Sequence, residues 1–183
     1  LSIEDLSVQF RTENGQVQAV DGVSLHVEAG ETLAVVGESG SGKSVTALSV
    51  LQLLGDAGRV NRGRIFFQGQ DLVQASNDAI RGIRGDKIAF IFQEPMSSLN
   101  PVLTIGKQVA EPIWLHRKKS WKEAFEQAGD LLQRVSIPDA HERLNDYPHQ
   151  FSGGMRQRVM IAMALACEPR LIIADEPTTA LDV

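Results

Sequence analysis

The spacing of hydrophobic and polar positions changes several times along the chain. Leu6, Val8 and Phe10 alternate with Ser7 and Gln9, and Val23, Leu25 and Val27 alternate with Ser24 and His26. Period two with one apolar face predicts half-buried strands, and Asn14-Gly15 between them predicts a turn. Thr32-Leu33-Ala34-Val35-Val36 is a short apolar run closed by Gly37, the pattern of a strand buried on both faces in a parallel sheet. From Lys43 to Leu54 the period becomes helical: Ala47, Leu48, Leu51 and Leu54 share a face, and Gly55 supplies the stop. Ile65–Phe67 and Ile88–Phe92 are further strand candidates.

After Phe92 the composition shifts. Ser120-Trp121-Lys122-Glu123 forms a capping box, in which the serine oxygen accepts the Glu123 amide and the carboxylate reaches back. Behind it Trp121, Ala124, Phe125, Ala128, Leu132 and Val135 follow a helical period, and Pro138 closes the segment. A second helix is expected from Ser152 to about Cys167, with Val159, Ala162, Met163 and Ala166 on one face. Leu171–Ala174 then predicts another short buried strand. Strands, strand–loop–helix, strands, a helical insert and a strand make an α/β order.

Composition narrows the class of function. The 183 residues suffice for one domain with a sizeable core, and 43% apolar against 22% charged residues is ordinary for a globular protein. Eighteen Lys and Arg against 23 Asp and Glu give a net charge of -5. That balance argues against bulk nucleic acid as the main partner. Cys167 is the single cysteine and has no disulfide partner; its place in Ile161–Cys167, an apolar run, predicts a buried structural thiol. No run approaches about 18 consecutive apolar residues, so a membrane would be reached through a partner. Both ends read as cut: Leu1 already sits in a strand pattern, and Ala180-Leu181-Asp182-Val183 stops without a cap or polar tail.

Three motifs carry chemistry. Gly37-Glu38-Ser39-Gly40-Ser41-Gly42-Lys43-Ser44 fits the P-loop pattern, between a predicted strand and a predicted helix. Glycines let successive amides curl inward at phosphate oxygens, and the following helix adds its amino-terminal dipole. Lys43 supplies a movable cation for the outer phosphates and the Ser44 hydroxyl a magnesium ligand. Leu171–Ala174 followed by Asp175 and Glu176 has the Walker B form, with Asp175 holding magnesium through water and Glu176 polarising the attacking water. Phe151-Ser152-Gly153-Gly154-Met155 opens a helix that Ser152 can cap, and its two glycines leave amides uncovered for an anion. One nucleotide does not need two such cradles from one chain, so a second chain is expected to bring the other.

With these motifs in this order, the chain resembles the nucleotide-binding domain of ABC transporters over essentially all of its length. The resemblance implies a P-loop NTPase core with a parallel sheet, a small antiparallel β subdomain and a helical insert at about 95–167. It makes residues 1–183 a single, incomplete ATPase domain. It implies ATP and Mg2+ as cofactors, Val45 completing the phosphate loop, and Gln93 as the glutamine that senses magnesium and the γ-phosphate. Ser152, Gly153, Gly154 and Met155 would face ATP bound by the opposite protomer, and Ala180, Leu181 and Asp182 would form the D-loop at the dimer interface. The signature reads Phe-Ser-Gly-Gly-Met where Leu and Gln are commoner at its ends. The switch histidine of the family would lie beyond Val183.

Phe92-Gln93-Glu94-Pro95-Met96-Ser97-Ser98-Leu99-Asn100-Pro101 and Tyr147–Arg158 resemble the oligopeptide, dipeptide and glutathione importer ATPases of bacteria. That subgroup implies a second ATPase domain, identical or not, transmembrane permease subunits, an external solute-binding protein, and a place on the cytoplasmic face of the inner membrane. Two rivals are a soluble ABC ATPase outside transport, which usually carries a coiled-coil arm or second domain, and a nucleotide-binding module without turnover. Phe10 has two readings, an adenine-stacking aromatic or a core residue of its strand. Arg117-Lys118-Lys119 reads as a solvated helix approach rather than a lipid or nucleic-acid patch, Trp114 and Trp121 as packing residues, and His149 as a hydrogen-bonded loop residue rather than a catalytic base.

Overall fold

The computed structural model describes residues 1–13, 15–93 and 98–177. They form two compact units, Leu1–Arg81 and one beginning at Gly82.

The first unit is built on an antiparallel sheet. β1 (Ser2–Thr12) is its spine, hydrogen-bonded to β2 (Gly15–His26) on one side and β3 (Gly58–Phe67) on the other, with β4 (Gln70–Asp71) outside β3. The expected alternation is present: Leu6 and Val8 are buried, and Val23, Leu25 and Val27 are half-buried between exposed neighbours. Bulges interrupt the β1–β2 ladder between Ile3 and Leu6 and between Leu6 and Val8, and shift the β1–β3 register beyond Glu4. At that second shift Gly63 has φ +92, and a Cβ there would lie 2.5 Å from the Asp5 carbonyl oxygen, so only glycine fits. β3 and β4 are joined through Gln68 and Gly69, both at positive φ, which matches the sheet's twist.

α1 (Lys43–Val50) packs against β1 and β2 and buries Thr46, Ser49 and Val50. It ends four residues before the expected Leu54. Gln52 turns left-handed (φ 52) and its side-chain Nε2 donates to the Leu72 carbonyl, so a tertiary anchor stops the helix before Gly55 does. α2 (Asn77–Arg81) closes the unit and buries Ile80.

The expected strand at 32–36 is not formed. The segment pairs with no strand among the described residues, and Leu33, Val35 and Val36 are 42%, 53% and 91% exposed. An apolar run becomes a strand only when neighbours satisfy its N–H and C=O groups.

The second unit sets helices around a parallel pair. β5 (Ile88–Ile91) and β6 (Leu171–Ala174) run in register, Ile88 opposite Leu171 and Ile91 opposite Ala174. β6 is paired on one side only among the described residues; Ile172 is 43% exposed, so this strand is half-buried rather than fully buried as expected. α3 (Ile105–His116), α4 (Trp121–Arg134) and α5 (Gly153–Leu165) pack on one another, and α5 also lies on β5. Ile105, Val109 and Ile113 meet Ala124, Ala128, Leu132, Val159 and Ala162 in a continuous core. Gly106 permits the α3–α4 approach: a Cβ there would lie 2.7 Å from both the Leu144 carbonyl oxygen and the Phe125 ring.

The α4 capping box is complete. The Glu123 amide donates to Ser120 Oγ (3.3 Å) and the Ser120 amide to Glu123 Oε2 (2.9 Å). Cys167 is buried as expected. Its thiol donates to the Pro112 carbonyl at 3.3 Å, and burial pushes its pKa up. Arg117 is not simply solvated. It pairs with Asp86 at 2.9 Å and also donates to the Cys167 carbonyl. Trp114 and Trp121 pack on each other edge-to-face, and they remain 50% and 41% exposed. Among the described residues no helix is long and apolar enough to cross a membrane.

Candidate functional site

Gly37–Val45 lie in the first unit. Gly37, Glu38, Ser39, Gly40 and Ser41 are exposed, whereas Gly42, Lys43, Ser44 and Val45 are half-buried at the start of α1. Gly40 and Gly42 take φ +80 and +92, and a Cβ on Gly42 would lie 2.7 Å from the Ala19 carbonyl oxygen. Glycine is therefore required where the loop enters the helix. Gly42 caps α1 without a side-chain hydrogen bond, and the first turn contains no acidic residue. Its first amides thus keep their donors for an anion, supported by the helix dipole. Lys43 folds back over the loop, its Nζ donating to the Gly37 (2.8 Å) and Glu38 (2.9 Å) carbonyls. Both are contacts to carbonyls of its own loop, which an anion could replace.

In the second unit the parallel register decides the geometry. Ile91 stands opposite Ala174, and the Asp175 amide donates to the Ile91 carbonyl at 3.0 Å. Both strands then leave the ladder in the same direction, so Gln93 and Glu176 come together two residues beyond their paired ends. Gln93 Nε2 donates to Glu176 Oε2 at 2.6 Å. Glu176 has φ 45, a costly backbone for a non-glycine residue and one typical of functional positions. It is exposed, and Asp175 beside it is half-buried.

Ser152 caps α5, its Oγ accepting the Met155 amide at 3.3 Å. Gly153 is exposed with open space where a Cβ would stand, while Gly154 and Met155 are half-buried. The segment is braced from behind: Phe151 is buried beneath the Arg143 guanidinium, and Arg156 Nε donates to the Pro148 carbonyl at 2.7 Å. One residue here escapes sequence reasoning. Gln157, fully buried one turn into α5, donates from Nε2 to the Pro177 carbonyl at 2.8 Å. It ties the Ser152 segment to the residue after Glu176. The one signal in the sequence is a polar side chain on an otherwise apolar helix face.

Phe10 is half-buried in β1, opposite Val17 and Gly58, and a Cβ on Gly58 would lie 2.7 Å from its ring. Val17 beside it is 52% exposed. Phe10 therefore packs on one side and stays accessible on the other, consistent with both readings. His149 is exposed and stacked on Tyr147. Ala180, Leu181 and Asp182 lie outside the described residues. Among the described residues no cluster of three or more His, Cys, Asp or Glu side chains could hold a metal.

Residues 20–179 match the ABC transporter family. The chain is 53% identical over its whole length to the oligopeptide transport ATP-binding protein OppD of Bacillus subtilis, covering 51% of that protein. It is 55% identical to the dipeptide transport ATP-binding protein DppD of the same organism, covering 55% of it. The chain thus spans about half the length of the curated relatives it matches. Among solved structures, an ATP-binding cassette dimer in a post-hydrolysis state, bound to ADP and inorganic phosphate, superposes with a TM-score of 0.87 at 31% identity. That match covers 99% of this chain and 75% of the other.

Proposed function

The chain belongs to the ABC transporter family, and from that premise we propose that it binds and hydrolyses ATP to power import of oligopeptides, dipeptides or a related small peptide such as glutathione. The observation that carries the chemistry is the 2.6 Å bond between Gln93 and Glu176 at the carboxyl ends of two parallel strands. An accessible carboxylate held there by an amide suits a general base, since it can exchange that partner for an attacking water. The names of the relatives, oligopeptide and dipeptide transport ATP-binding proteins, support the substrate class. They also weigh against a soluble ABC ATPase outside transport.

The residue roles in this reading follow from chemistry. Gly37–Val45 present amides and the Lys43 ammonium to the phosphates. The uncapped first turn of α1 and the glycine-only entry at Gly42 fit such a ligand. Ser44, Gln93 and Asp175 supply oxygen donors of the type magnesium takes, and magnesium when bound neutralises phosphate charge. Glu176 activates water. Ser152, Gly153, Gly154 and Met155 offer a second set of amides to a nucleotide held by another protomer. Phe10 is the candidate adenine stacker, and Ala180–Asp182 the candidate interface loop. In this reading residues 1–183 are one ATPase domain with its helical part at about 95–167. It pairs with a second such domain beneath permease subunits, on the cytoplasmic face of a bacterial inner membrane, and receives solute from a binding protein.

The test is Glu176→Gln in the full-length protein. ATP should bind with unchanged affinity while steady-state phosphate release falls about 100- to 10,000-fold, the range of a lost general base. Phosphate release near the wild-type rate would remove Glu176 from the chemistry.

A further inference from the structure

The most unusual surface of the second unit lies where α3 hands over to α4. Trp114 and Leu115 at the end of α3 and Trp121 at the start of α4 are 50%, 64% and 41% exposed. The two indoles meet edge-to-face with centroids 5.9 Å apart. Scattered exposed apolar residues need no explanation, but a contiguous aromatic pair beside an exposed leucine does.

Charge is concentrated at the same place. Residues 114–122 hold Arg117, Lys118, Lys119 and Lys122, four of the chain's 18 basic residues, and no acidic one, in a chain of net charge -5. Arg117 is spent on Asp86. Lys118, Lys119 and Lys122 are exposed, and Lys119 is held by the neutral amide of Gln127. Lys118 sits at φ 51 in the link, so Lys118 and Lys119 stand between the ends of α3 and α4, and Lys122 follows in the first turn of α4.

We propose that this corner is a docking surface for an anionic lipid bilayer. Tryptophan suits the interface because its ring is apolar and its N–H wet, and lysines bordering it gain from negative headgroups. The acidic residues of α4 set the orientation. Glu123 is turned to Ser120, and Glu126 and Asp130 follow about 7 and 13 Å further along the axis from Trp121. That spacing is comparable to the screening length of about 8 Å at physiological salt. The corner can therefore touch a negative surface while the rest of α4 is held off it. This surface does not depend on the nucleotide-binding reading.

The two tryptophans of the 183-residue chain are both in this patch, so intrinsic tryptophan emission reports the proposed contact and nothing else. The full-length protein, with any tryptophan outside residues 1–183 replaced by phenylalanine, is titrated with vesicles of phosphatidylcholine alone, with vesicles containing one-third phosphatidylglycerol, and with soluble polyglutamate. The expected result is a shift to shorter wavelength with the anionic vesicles, weakened by salt, and absent with the other two. The triple variant Lys118→Glu, Lys119→Glu, Lys122→Glu should keep its circular dichroism and lose vesicle affinity by about a hundredfold or more, since each lysine near the surface is worth about fivefold. Equal binding to neutral vesicles, vesicle binding without an emission shift, or no binding at all would overturn the proposal. A shift with polyglutamate and not with vesicles would overturn it in favour of an acidic protein partner.

Discussion

At Gln157 a fully buried amide spends its donor on the Pro177 carbonyl, while Oε1 has no partner among the described residues. An unpaired buried acceptor costs about 1–3 kcal/mol, so the side chain is there for the bond it does make, directly behind Glu176. Gln157→Leu should consequently leave thermal stability of the full-length protein within about 1 kcal/mol, exchanging one orphan acceptor for another. It should lower kcat for ATP without changing KM, because the backbone that carries Glu176 loses its brace. Phosphate-release kinetics beside a melting curve measure both, and an unchanged kcat would make the contact purely structural. Lys43 is the opposite case, a half-exposed side chain with carbonyl partners of its own loop. Lys43→Ala should preserve the circular dichroism spectrum and weaken ATP binding about 10- to 100-fold, the worth of a charge-assisted hydrogen bond. Retained affinity by calorimetry would dissociate the loop from phosphate.

Helix starts are the elements most firmly written into local chemistry. Ser120 and Glu123 satisfy each other's backbone amides, and the Ser120 hydroxyl and amide hold the Glu123 carboxyl below the usual range. Ser120→Ala should raise that pKa towards its ordinary value, read by NMR titration, and lower the melting temperature by about 2–4 °C. The sign in acid follows from the direction of the shift. A depressed carboxyl stabilises the fold above its unfolded pKa, and that contribution is lost as pH falls through its folded pKa. Wild type and Ser120→Ala should therefore converge as Glu123 is protonated; a gap that widens would contradict the box. Both capped helices, α4 and α5, and the bounds of β6 were legible because their signals sit within four residues. The segment 32–36 was not, since a ladder needs a neighbour that no local pattern names. Pro112 obscured α3 by breaking the ladder inside a helix whose apolar positions 105, 109 and 113 otherwise keep step. The exposure of Trp114 and Trp121 was not legible, because helical spacing does not say which face a partner covers, and Gln157 was missed because a buried amide declares itself only with its partner.

For the whole molecule, the proposed function makes a demand that one protomer does not meet alone: two sets of amides for each nucleotide, the uncapped first turn of α1 and the Ser152–Met155 segment. The cassette that superposes on this chain was solved as a dimer with ADP and phosphate, and a C2 pair would present each set to its partner. The Gln93–Glu176 bond and the Gln157–Pro177 bond then acquire a joint consequence. Any shift of the Ser152 end of α5 would reach the carboxylate of its own protomer through Gln157. Mixing two crippled full-length proteins tests the shared site. Lys43→Ala spoils the phosphate loop, and Ser152→Arg fills the space beside Gly153 and Gly154 with a long cation. In a mixed dimer both lesions fall on one nucleotide, and the other nucleotide meets an intact loop and an intact Ser152 segment. Random pairing at equal concentrations makes half the dimers mixed, so about a quarter of the wild-type number of intact sites is expected. ATP-driven dimerisation, followed by light scattering, should recover in the mixture above the level of either variant alone. Should no mixing ratio raise it, each nucleotide would be handled within one chain, and the amides at Ser152 would need a different ligand.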